Sequence, residues 1–156
     1  MKTKILFVCM GNICRSPAAE AIMKSLVAEQ GLSSRFEIDS AGILGFHEGE
    51  RADSRMRQHA ARRSYDLTSR SRPVKPDDFD RFDLIIGMDD ANIDDLYDRA
   101  WTVEHKAKIH KMTDYSKKYN NTYIPDPYYG GAAGFELVLD LLEDACAGLL
   151  DSFDSQ

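Results

Sequence analysis

The run Ile5-Leu6-Phe7-Val8 passes without a break into Cys9-Met10-Gly11-Asn12-Ile13-Cys14-Arg15-Ser16-Pro17. Four consecutive apolar residues with β-branched and aromatic members read as a strand buried on both faces. The segment that follows is short and polar, and Ser16-Pro17 reads as an N-cap with Pro at the first helical position. Ala19, Ile22, Met23, Leu26 and Val27 then recur at helical spacing as far as Gly31, a helix stop. Strand, loop and helix in this order open an α/β fold, whose ligands gather at such loops.

Outward from this segment the alternation continues. Residues 36–41, 82–88 and 108–112 read as strands, and 54–63, 89–97 and the amphipathic stretch from Phe135 to Leu150 as helices. Strands alternating with helices predict a mostly parallel sheet covered on both faces. The 156 residues fit one domain, 1–156, large enough to bury a core unaided. A net charge of -6 argues against the general positive field of a nucleic-acid binder. No apolar run approaches membrane-spanning length, and Met1 to Lys4 leads into a strand with no cleavage site, so neither a membrane nor a signal-peptide reading applies. Three cysteines are too few and too odd for a disulfide framework, which points to the cytoplasm. Residues 51–75 carry eight basic and two acidic residues, and 77–99 nine acidic and two basic. Two solvated faces of opposite sign, or a basic rim that recruits acidic substrates, both fit this pattern.

The Cys9–Ser16 loop carries the chemistry. Its backbone N–H groups, from Met10 through Ser16, can converge on an anion, reinforced by the positive end of the helix behind them. Gly11 and Asn12 are residue types that readily accept positive φ, as a tight cradle requires. Cys9 ends the strand facing the same donors, which favour its thiolate. Arg15, six positions on, offers a planar fork to two phosphate oxygens. Ser16 can donate its hydroxyl to the sulfur. A thiolate, an anion cradle and an arginine fork together mean phosphoryl transfer through a cysteinyl phosphate. Such a thiolate needs an acid for the leaving group, and the loop holds no His. Asp126 in Ile124-Pro125-Asp126-Pro127-Tyr128-Tyr129-Gly130 is the candidate, stiffened by two Pro and flanked by Tyr128 and Tyr129 that can wall an aromatic ring.

These segments resemble the low-molecular-weight protein tyrosine phosphatases. The Cys9–Pro17 loop is similar to that family's signature, and Asp126-Pro127-Tyr128-Tyr129 to its acid motif. The likeness extends through Asp39-Ser40-Ala41-Gly42, Phe82-Asp83-Leu84-Ile85, Met88-Asp89 with Asn92, and the last helix. The resemblance implies a flavodoxin-like three-layer sandwich with a four-stranded parallel sheet, no metal or other cofactor, and a two-step hydrolysis of a phosphotyrosine protein or aryl phosphate. It implies Cys9 as nucleophile, Arg15 as phosphate clamp and Asp126 as acid then base, with inorganic phosphate or vanadate able to occupy the cradle. Asn12 and Ser40 would hold the loop in shape, Ser16 would assist the thiolate, and Ile13, Phe46, Tyr128 and Tyr129 would flank the substrate ring. Two positions depart from the pattern: Phe46 stands where Trp is frequent, and Ser69 where mammalian members place a His.

Cys14 has two readings, a partner that traps oxidised Cys9 as a disulfide or a small buried residue of the loop. Cys146 reads as core, and His47, His59, His105 and His110 show no metal-ligand spacing. The Asp-rich 89–98 stretch lacks the features of a calcium loop. An arsenate reductase of the same fold is the nearest rival, but this chain has no cysteine between Cys14 and Cys146 to relay oxidation. A protein arginine phosphatase would carry Thr where Ile13 stands. A phosphoprotein-binding module needs no reactive sulfur, and a flavin-binding module would leave Cys9 and Arg15 idle.

Overall fold

The computed structural model describes residues 2–128 and 131–154. Four strands, β1 (Thr3–Cys9), β2 (Phe36–Gly42), β3 (Leu84–Gly87) and β4 (Ile109–Lys111), form one parallel sheet in the order β2-β1-β3-β4. Side chains alternate along a strand, so β1 divides its burial between the two faces. Ile5, Phe7 and Cys9 join one core with α1 (Arg15–Glu29) and α6 (Ala132–Asp154). Leu6 and Val8 join a second core with Val74, Phe79, Phe82 and Leu96, the last on α4 (Asp90–Arg99). This is the parallel sheet covered on both faces that the alternating pattern predicts, in the three-layer, flavodoxin-like form that the resemblance implies. The chain leaves β1 between neighbours reached by connections on opposite faces, the topological switch point where such sheets bind ligands.

The remaining helices are α2 (Ser54–Ala61) and two short ones, α3 (Asp78–Arg81) and α5 (Val103–Ala107), which the sequence pattern does not announce. The third and fourth strands are shorter than their apolar stretches, and α6 begins three residues before Phe135. Phe82 is fully buried yet lies outside β3, since its N–H closes the α3 turn on Asp78. Cys146 is in the core, as its helical position predicts.

One local reading is corrected. Ser16 is not the N-cap of the first helix: α1 starts at Arg15, behind Cys14, and the Ala18 N–H donates to the Cys14 carbonyl at 3.2 Å. The Ser16 hydroxyl is instead taken up by buried partners in the loop, so it cannot turn back to cap. The basic stretch also departs from a free rim. Arg55, Arg57, Arg63, Arg70 and Arg72 all donate to acceptors within the chain, which spends much of that charge on the fold.

Candidate active site

The loop after β1 turns its carbonyls outward. Cys9 O accepts from Ile43 N–H, Met10 O from Leu44 N–H, Gly11 O from the Ser71 hydroxyl and Ile13 O from Asp53 N–H. Among the described residues, the N–H groups of Met10 to Arg15 have no acceptor of their own. A row of unpaired peptide donors beside a helix N-terminus makes an anion-binding concavity. Asn12 makes the turn possible with a φ of 57°, in the left-handed region that Asn tolerates. Gly42, paired with Cys9 across the sheet, lets the loop approach: a Cβ there would lie 3.0 Å from Met10 O and 3.1 Å from Asn12 N.

Behind the loop a buried polar network holds its shape. Asn12 Nδ2 donates to Ser16 Oγ at 2.8 Å and Ser40 Oγ at 3.0 Å, and its Oδ1 accepts from Arg72 N–H at 3.0 Å. Ser40 in turn donates to Glu20 Oε1 at 2.6 Å, and Lys24 donates to the other carboxylate oxygen of Glu20. Cys9 Sγ lies 3.0 Å from Ser16 Oγ and receives the Ser16 N–H at 3.4 Å. The predicted supports Asn12, Ser16 and Ser40 thus lie together beneath the sulfur, all buried.

Arg15 is 2 % exposed, unusual for an arginine. Its Nη1 donates to Asp89 Oδ2 at 2.6 Å and to the Ile124 carbonyl at 2.9 Å. Its Nη2 stands 3.8 Å from Asp126 Oδ2. Burial works against its charge, but the nearby Cys9 and the bonded Asp89 outweigh burial and hold its pKa above the ordinary value. Burial, with Asp53 and Cys9 adding to it, pushes the Cys14 thiol well above its ordinary range, so Cys14 stays protonated at neutral pH. Asp126 Oδ1 accepts the Tyr128 N–H at 3.0 Å.

These groups open on one cleft of about 270 Å³ lined by Cys9, Met10, Gly11, Ile13, Cys14, Arg15, Phe46, Asp126 and Tyr128, with Leu44 and His47 besides. Each of the nine was anticipated from sequence; Leu44 and His47 were not, because the loop after β2 has no periodicity to read. Phe46 is 84 % exposed and meets the His47 ring edge-on. Tyr129 lies outside the described residues. Sequence reasoning also missed the role of Asp89, which caps α4 through Asn92 N–H while pairing with Arg15 across 74 residues. Glu20 left a legible signal: with Ser16, Met23 and Val27 it occupies the buried stripe of α1. A carboxylate there requires a partner.

Comparison with known proteins gives one answer. Residues 4–156 match the family model described as low molecular weight phosphotyrosine protein phosphatase. A Synechocystis sp. protein that carries the same family name is 46 % identical over 155 residues, covering 98 % of each chain. A crystal structure of a protein tyrosine phosphatase from Entamoeba histolytica, with Hepes in its active site, superposes with a TM-score of 0.96 at 48 % identity, covering 99 % of this chain and 98 % of that one. A Drosophila structure described as an arginine phosphatase is also similar, with a TM-score of 0.90 at 32 % identity over 98 % of each chain.

Proposed function

Because the chain belongs to the low molecular weight phosphotyrosine protein phosphatase family, whose members are hydrolases, we propose that residues 1–156 act as one domain hydrolysing aryl phosphate monoesters through a cysteinyl phosphate. The row of unpaired loop N–H groups facing a cysteine and a buried arginine carries this reading. The phosphate oxygens take the loop donors and the free edge of Arg15, which supply the charge stabilisation without a metal. The Cys9 thiolate attacks phosphorus; the S–P bond forms as the P–O bond to the aryl group breaks. Asp126 gives its proton to the departing oxygen, releasing the phenol. In the second step water attacks phosphorus and passes a proton to Asp126. The S–P bond breaks, phosphate leaves, and Cys9 is again a thiolate. Ser16, whose Oγ is 3.0 Å and N–H donor 3.4 Å from Sγ, stabilises the sulfur as it leaves.

Apolar Ile13 and the Tyr128 ring in the cleft wall support an aromatic ester over a guanidinium phosphate. The buried, unpaired cysteines suit the reducing conditions of the cytoplasm. The test is a leaving-group series. Asp126→Ala should slow kcat/KM for phenyl phosphate by about 10²–10⁴-fold and spare a nitro-activated ester, the scale of general-acid catalysis. Cys9→Ser should abolish turnover while still binding vanadate. An equal fractional loss for all leaving groups would remove Asp126 from the acid role.

A further inference from the structure

Arg55 does not line the catalytic cleft, yet it links the two loops that build it, the phosphate loop through Asp53 and the Asp126 loop through Tyr128. On one side its Nε and Nη2 pair with Asp53 at 3.2 and 3.1 Å. Asp53 caps α2 by accepting the N–H groups of Arg55 and Met56, and its own N–H donates to Ile13 O in the phosphate loop at 2.8 Å. On the other side Arg55 Nη2 donates to the Tyr128 carbonyl at 2.9 Å. Its guanidinium carbon lies 5.3 Å from the Tyr128 ring centroid and 4.9 Å from that of Phe135, the residue that anchors the start of α6 in the core. Tyr128 then sets Asp126: its N–H holds Oδ1 at 3.0 Å and leaves Oδ2 on the Arg15 side. One continuous line therefore runs from Ile13 through Asp53, Arg55 and Tyr128 to Asp126.

We propose that Arg55 is a positioning residue that fixes Asp126 against the phosphate loop, so that the acid meets the leaving oxygen only while this line is intact. The inference rests on the reading of Asp126 as the general acid. A purely structural role explains the arrangement poorly. The Arg55 side chain is 45 % exposed, and a surface ion pair of that kind adds little to stability. Asp53 would also still cap α2 without it, since the cap uses backbone donors. What the guanidinium alone supplies is a planar fork that grips a carboxylate and a carbonyl at once, with a face for two rings. Lysine keeps the charge but not the fork.

The experiment compares Arg55→Lys and Arg55→Gln, each alone and combined with Asp126→Ala, on phenyl phosphate and a nitrophenyl phosphate. Displacement of a catalytic group by about 1 Å can cost roughly a hundredfold. We expect kcat/KM for phenyl phosphate to fall about tenfold or more in both single variants, and for the activated ester by less than about threefold. In the Asp126→Ala background neither substitution should cause further loss with phenyl phosphate. Both variants should melt within about 3 °C of the parent, which separates positioning from folding. Equal losses on the two esters, or losses that multiply with Asp126→Ala, overturn the role of Arg55. If Asp126→Ala itself treats both esters alike, the acid assignment falls and the positioning role with it.

Discussion

Replacing Asn12 tests whether the buried network, and not the loop sequence alone, shapes the phosphate cradle. Asn12 is 2 % exposed, sits at φ 57° and makes three hydrogen bonds through its side chain. Asn12→Ala removes all three and strands the Arg72 N–H, at about 1 kcal/mol net for each bond. Alanine at positive φ adds roughly 1 kcal/mol more. The expected loss is about 4 kcal/mol, or roughly 8–16 °C in Tm at about 2–4 °C per kcal/mol for a chain of this size. Asn12→Gly loses the same bonds but not the strain, and after its greater freedom in the unfolded chain it should be about as stable as the alanine variant or up to about 0.6 kcal/mol more so. The assay is thermal unfolding of the three proteins in parallel, with kcat/KM on a nitrophenyl ester expected to fall at least about tenfold in both variants as the loop donors lose their aim. Two variants that melt within about 2 °C of the parent would show that the loop holds its shape without the network.

Arg15→Lys should lower kcat/KM by about a hundredfold, because an ammonium cannot bond Asp89 and the Ile124 carbonyl and still present a second edge to phosphate; retention of more than about a tenth, a loss under about 1.4 kcal/mol, would refute that. Stability should also decline above pH 9. Burial pushes the Cys14 and Cys146 thiols well above their ordinary value of 9.0, so above that pH the unfolded chain binds fewer protons than the folded one, and stability present below pH 9 is lost as pH rises. Each thiol contributes a slope of about 1.4 kcal/mol per pH unit. Denaturant unfolding from pH 8 to 11 should show that slope shrink by about this amount in Cys146→Ala, and an unchanged slope would contradict it.

Much of this molecule was legible because its informative features are local. The β1 run, the Cys9–Arg15 spacing and the Pro-flanked Asp126 each announce themselves within ten residues, and the structure brings all three to one cleft. The helix start at Arg15 was misread because the usual meaning of Ser-Pro is capping, and only partners from the end of β1 and the loop explain why Ser16 does something else. Asp89 escaped for a related reason. Its local pattern, an acidic residue three before Asn92, is fully explained by capping, which leaves no residue of sequence signal for its pairing with Arg15. Arg55 hid among seven other basic residues of its segment. Charge runs conceal individual roles, because each member has the same bland explanation.

Under the proposed mechanism, burial divides Arg15 and Asp126 in a way that matches their tasks. The transferred phosphoryl group is common to both chemical steps, so its clamp gains from rigidity, and Arg15 is buried with one edge committed to Asp89 and Ile124. In that mechanism the acid serves two different oxygens, first that of the leaving phenol and then that of water. Asp126 is accordingly 42 % exposed, on a loop stiffened by Pro125 and Pro127 and tied to the phosphate loop through the Arg15 bond to the Ile124 carbonyl on one side and, by way of Arg55, through Tyr128 on the other. In the structure the free edge of Arg15 faces Asp126 at 3.8 Å, too far for a hydrogen bond. Under the proposed mechanism a substrate phosphate takes that edge of Arg15, and Asp126 is left to the departing oxygen. In that reading clamp and acid share one wall of the cleft so that occupation of the first leaves the second to the leaving group.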